Sequence, residues 1–89
     1  MKLKMRGKVW EFVRQRAGLG VGNFGNCEAP NLPGKKIVVD HTIKGVHELE
    51  VIIHELLHAS DWDKAEEAIT ETADDMAKCL HKLGYRKVS

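Results

Sequence analysis

Two histidines and a glutamate in the second half of the chain have the spacing of a zinc site. They are His54, Glu55 and His58, which form the pattern H-E-x-x-H. On an α-helix, side chains four residues apart lie on one face, so both imidazoles can bind the same zinc ion. Glu55 lies too far round the helix to join that pair of ligands, but its carboxylate can act as the general base on a zinc-activated water. The spacing therefore predicts metal-dependent hydrolysis.

The motif lies within a predicted helix, and a second predicted helix follows it closely. The first helix, over 46–60, has apolar residues at helical spacing: Leu49, Ile52, Ile53, Leu56 and Leu57. The second helix, over 64–83, has its own apolar stripe and ends at Gly84. Asp63 precedes this helix and Glu66 lies in its first turn, an arrangement that resembles a capping box.

The first half of the chain predicts strands separated by connections. Residues 8–16 and 35–40 are rich in β-branched and aromatic residues and are predicted strands. Glycine, asparagine and proline dominate 17–26 and 27–34, which are predicted connections. The expected fold class is α+β: a small, mostly antiparallel sheet of about three strands packed on two antiparallel helices.

A catalytic zinc ion usually has a third protein ligand, and the second helix offers carboxylates for it. With antiparallel helices, the centre of the His54–His58 pair is expected opposite residue 67. Glu66 and Glu67 are both found there. Helical spacing leaves both open, since Glu66 flanks the apolar stripe and Glu67 lies further round the helix.

The two motifs together resemble those of the zincin metallopeptidases. The HELLH sequence at 54–58 is similar to the zincin zinc helix, and EAITE at 67–71 is similar to the gluzincin pattern of a ligating glutamate and a supporting carboxylate. The resemblance implies that Glu67 is the third ligand and that Glu71 accepts the free N–H of a ligating histidine. A second register makes Glu71 the ligand, supported by Asp75. The expected order of preference is Glu67, Glu66, Glu71.

Residues 37–83 resemble the minimal core of small zincins of phage and bacterial type, and more distantly SprT-like proteins. This resemblance implies a zinc-dependent metalloprotease, a hydrolase in which Glu55 is the base. It also implies that the strand before the motif helix is a sheet edge that pairs with an extended peptide, here through Ile37, Val38 and Val39. The local side chains able to assist by donating to the oxyanion are His41, His47, His81 and Tyr85.

Length and composition limit the alternatives. With 89 residues we expect one domain, 1–89, with a thin core that a bound metal would help to stabilise. No apolar run is long enough to cross a membrane and no secretory signal is recognisable, so a cytoplasmic location is expected. Cys27 and Cys79 do not match zinc-finger spacing and are predicted to be reduced thiols.

Charge is distributed unevenly along the chain. Residues 1–44 contain nine lysines and arginines against three acidic residues, whereas 61–75 contain seven acidic residues against Lys64 alone. A basic half can attract nucleic acid, but solvated faces are the simpler explanation, so nucleic acid is not expected as a partner. The zincin resemblance implies a peptide or protein partner instead. The alternative to an enzyme is a non-catalytic, zinc-stabilised module that binds protein or nucleic acid.

Overall fold

The computed structural model describes residues 1–16 and 23–88 and has an α+β fold. The elements in chain order are β1 (Lys2–Met5), β2 (Lys8–Gln15), β3 (Gly25–Cys27), β4 (Lys36–Asp40), α1 (Gly45–Ser60) and α2 (Glu66–Lys82). The predicted class is confirmed. The sheet has four strands, where the sequence predicts about three.

The sheet is mixed, with the strand order β1-β2-β4-β3. The β1–β2 and β3–β4 pairs are antiparallel, and β2 and β4 are parallel. Ile37 faces Phe12 on one side of β4 and Cys27 on the other. The expectation that Ile37, Val38 and Val39 form a sheet edge is therefore corrected, because β4 is an inner strand whose two sides are already paired.

Strands β1 and β3, which the sequence did not locate, are short and lack a strong sequence pattern. A two-residue turn joins β1 to β2, with positive φ at Arg6 (51°) and Gly7 (83°), as a tight hairpin requires. Strand β3 consists of Gly-Asn-Cys and falls where the sequence predicts connections. The remainder of the predicted connection, 17–22, lies outside the described residues.

One face of the sheet packs against α1 and forms the main core. Trp10, Ile37 and Val39 are fully buried there, and Phe12 is nearly so. The indole of Trp10 donates a hydrogen bond of 3.0 Å to the carbonyl of Glu28. Alternation along β2 and β4 brings these side chains to one face, which fixes how α1 lies on the sheet.

A second, smaller core joins the two helices. Ile53 of α1 is buried with Ala73 and Ala77 of α2. Helix α2 ends as predicted at Gly84, whose φ is 98°. The amide of Tyr85 donates to the carbonyl of Leu80 at 3.0 Å, as in a Schellman motif. Neither helix in the described ranges combines the length and apolar character needed to cross a membrane.

Candidate metal centre

Helix α1 brings the two predicted histidine ligands together. Their ring centroids are 4.9 Å apart, and the two Nε2 atoms are separated by 3.2 Å. Both side chains are about one-fifth exposed, at 21% for His54 and 19% for His58. The helical spacing thus places both nitrogens at a common point at the edge of the core.

The carboxylate that completes this cluster is that of Glu66, the first residue of α2. One carboxylate oxygen lies 2.8 Å from His54 Nε2, and the other lies 2.7 Å from His58 Nε2. One ligand atom from each of the three residues lies within 4.8 Å of the other two. The Glu66 side chain is 65% exposed, so this cluster is accessible to solvent.

The structure brings Glu66, and not the expected Glu67, to the two histidines, and which carboxylate binds a metal stays a prediction. The face of α2 that packs on α1 is defined by Ile69, Ala73 and Ala77. Glu66 precedes Ile69 by three residues and so continues this face, whereas Glu67 is rotated away and exposed. Glu71 is also exposed and does not belong to the cluster in the described structure. The buried stripe was the sequence signal that could have selected Glu66.

The position at which α2 starts explains why the predicted capping box is wrong. Helix α2 begins two residues later than predicted, with Ala65 at its N-cap and no side-chain hydrogen bond to the cap. Glu66 is consequently the first helical residue, and its carboxylate contacts the two imidazoles instead of the preceding backbone.

Glu55 lies next to the cluster and is buried, with only 6% of its surface exposed. Burial raises the pKa of its carboxyl group to about 7, and the negative charge of Glu66 adds to this rise. On its other side Glu55 packs against β3. A Cβ atom on Gly25 would lie 2.8 Å from Glu55 Oε2. The carboxylate is thus enclosed between α1 and the sheet.

Glu55 and the His-His-Glu cluster line one cavity of about 510 Å³. Strand β3 lines this cavity together with Trp62 and Thr70. Of the four side chains considered for the oxyanion, His47 alone lines this cavity, with its ring edge-on to Phe24 at 4.9 Å. Two of the other candidates, His81 and Tyr85, line a different cavity.

Strand β3 provides a sheet edge beside the cluster. In the described part of the chain it pairs with β4 alone. The Phe24 carbonyl accepts from Asp40, and the Glu28 amide donates to Lys36. Main-chain groups alternate in direction along an antiparallel strand, so those of Gly25 and Cys27 point away from β4. Sequence reasoning missed this edge because its glycine and asparagine predict a turn.

No family model, curated protein or solved structure matches this chain. The likeness to zincins therefore remains a prediction from the two motifs. The chemistry of the cavity is inferred from the His-His-Glu cluster, the burial of Glu55 and the outer edge of β3.

Proposed function

We propose that this protein is a zinc-dependent peptidase in which His54, His58 and Glu66 hold the ion and Glu55 is the general base. The observation that supports it best is the convergence of two imidazole nitrogens and a carboxylate at the wall of an open cavity that also contains a buried carboxylate. Of the three carboxylates considered for the third ligand, the geometry favours Glu66.

The chemistry of the donor set suits zinc. Two imidazoles and one carboxylate are a common ligand set of catalytic zinc sites, which leave a further position open. The exposed side of Glu66 and the adjoining cavity are in keeping with such a position. The two Nε2 atoms are 3.2 Å apart, so both imidazoles present a nitrogen to the same position.

When bound, the zinc ion supplies a Lewis acid that polarises a carbonyl and lowers the pKa of water. The carboxylate of Glu55 accepts the proton that the attacking water loses, and it then donates this proton to the departing amine. Burial raises the pKa of Glu55 to about 7, and a bound cation would lower it again, so the carboxylate can accept a proton when the ion is present. Strand β3 packs against Glu55 and confines its carboxylate beside this cavity.

The substrate in this proposal is an extended peptide that pairs with the outer edge of β3. The outward main-chain groups of Gly25 and Cys27 offer backbone hydrogen bonds to such a strand. This assigns to Gly25–Cys27 the part that the sequence had suggested for Ile37–Val39. The partner is accordingly a peptide or protein and not nucleic acid or a membrane, and we place the protein in the cytoplasm.

Glu55→Gln tests the proposal directly. Glutamine cannot accept the proton, so hydrolysis of a peptide that the wild type cleaves should fall by roughly 10²–10⁴-fold. Zinc content should stay the same, because Glu55 is not a ligand. Glu67→Gln is the matched control, since this exposed neighbour lies outside the cluster. Full activity of Glu55→Gln would reject the assignment of the base.

A non-catalytic, zinc-stabilised binding module is the second candidate. The supporting observation is that the donors come from both helices, so an ion would link α1 to α2 and stabilise the fold. Chelation separates the two functions. A purely structural ion predicts loss of helical circular dichroism when it is removed, whereas a catalytic ion predicts loss of activity with most of the fold retained.

A further inference from the structure

A second cavity, of about 350 Å³, lies on the opposite side of α1 from the His-His-Glu cluster. Helix α1 contributes Gly45, Glu48, Leu49 and Ile52 to it, at helical spacing along one face. None of its lining residues lines the first cavity. It is therefore a separate site, and it does not depend on the proposed peptidase function.

The walls of this second cavity are apolar. Leu49 and Ile52 of α1 face Leu80 of α2, and each of the three is partly exposed. Tyr85, which is 66% exposed, lies where the chain leaves α2. An unfilled apolar space of this size, with aliphatic walls, favours a ligand that carries a hydrocarbon body.

The rim of the cavity is positively charged. Arg14, Arg86 and Lys87 line it, and the only carboxylate among its lining residues is that of Glu48. Glu48 is buried and pairs with Arg14 at 3.3 Å and with Lys87 at 3.5 Å, so one negative charge is shared between two cations.

Arg86 adds a cation that this carboxylate does not neutralise. Its guanidinium donates to the carbonyls of His81 and Tyr85, at 2.7 and 2.9 Å. In the described ranges it forms no ion pair with a carboxylate. These carbonyl contacts orient the guanidinium at the rim and leave its charge available to an anion.

We propose that this cavity binds a small amphiphilic anion, an aliphatic carboxylate, with its chain against Leu49, Ile52 and Leu80 and its carboxylate at Arg86 and Lys87. The apolar walls account for the chain, and the excess of cations at the rim accounts for the charge. A neutral or cationic amphiphile of the same length fits the walls equally well but lacks the complementary charge.

Three probes of equal chain length test the proposal: octanoate, octanol and octylammonium. Each is titrated into isotope-labelled protein while amide chemical shifts are recorded. Octanoate should shift the amides of Leu49, Ile52 and Leu80, and should bind about tenfold more tightly than octanol. Octylammonium should bind more weakly than either. Equal binding of octanoate and octanol would overturn the proposal, as would shifts confined to the cavity of the metal centre.

Substitution of the two cations Arg86 and Lys87 at the cavity rim provides a second test. The double variant Arg86→Gln/Lys87→Gln should reduce octanoate affinity to that of octanol and leave octanol binding unchanged. Both side chains are exposed, and Arg14 still pairs with the buried Glu48 in the double variant, so the fold should be retained, which the same spectra verify. Lys82→Gln is the matched control, because Lys82 is an exposed cation that does not line the cavity. Wild-type octanoate affinity in the double variant would reject the assigned anion contacts.

Discussion

Replacing Gly25 with alanine should displace Glu55 while leaving the histidine pair in place. The added Cβ would lie 2.7 Å from Val51 Cγ1, 2.8 Å from Glu55 Oε2 and 3.1 Å from Glu55 Cγ. Carbon atoms in contact are normally separated by roughly 3.5–4.0 Å, so Val51 or β3 must retreat by about 1 Å. The backbone at Gly25 is an ordinary strand conformation, and the cost is therefore steric.

Two magnitudes follow from this clash. Overpacking of this kind typically lowers the free energy of unfolding by about 1–3 kcal/mol. If Glu55 moves by about 1 Å, a loss of the order of 10²-fold in kcat/KM is expected, because proton transfer depends on its position. Zinc affinity should change little, since the three atoms nearest to the added methyl group belong to Val51 and Glu55 and not to His54, His58 or Glu66.

The assays are urea denaturation, zinc titration and cleavage of a peptide that the wild type hydrolyses. Asn26→Ala is the matched control for the denaturation, because Asn26 is the next residue of β3 and its side chain is exposed. Wild-type stability together with wild-type kcat/KM in Gly25→Ala would refute the reasoning, since the close approach of β3 to α1 would then have no energetic consequence.

Three further outcomes are expected. Glu66→Gln should weaken zinc binding by more than the 10–100-fold or so that loss of an outer hydrogen-bond partner costs, whereas Glu67→Gln should leave it unchanged in the same titration; equal losses would contradict the ligand assignment. A maleimide, with its adducts counted by mass spectrometry, should label exposed Cys79 in the native protein and buried Cys27 only after denaturation. Rapid labelling of both thiols in the native protein would show that β3 opens readily. Burial, together with the charge of Glu55, raises the pKa of the Cys27 thiol to about 12. The folded state therefore keeps this proton after the unfolded chain has lost it, and the free energy of unfolding should fall as pH rises from about 9 towards 12. Cys27→Ala should remove that part of the fall, and an unchanged slope would argue against the burial.

The helices were predictable because their signals are strong and local. The apolar periodicity before and after His54 predicts α1 to within one residue, and the αL position of Gly84 ends α2 as expected. The histidine spacing likewise predicted that both rings face one point. These features depend on contacts only a few residues apart, which the sequence displays directly.

The sheet edge and the third donor depend on contacts that the sequence does not display. Strand β3 contains Gly25 because α1 approaches it closely, but a glycine followed by asparagine predicts a turn equally well. The choice between Glu66 and Glu67 depends on where α2 starts and how it is rotated, and helix starts are defined poorly by sequence. Only the packing of Ala73 and Ala77 on Ile53 of α1 fixes that rotation.

The three proposed metal ligands come from one short stretch, His54 to Glu66, so they can meet as soon as the helical hairpin closes. Contacts that are near in sequence form quickly, whereas the parallel β2–β4 pair joins distant segments. The His-His-Glu cluster could therefore be grafted onto another pair of antiparallel helices joined by the same turn, and its three side chains would keep their relative positions. What such a graft would leave behind is the glycine edge that confines Glu55.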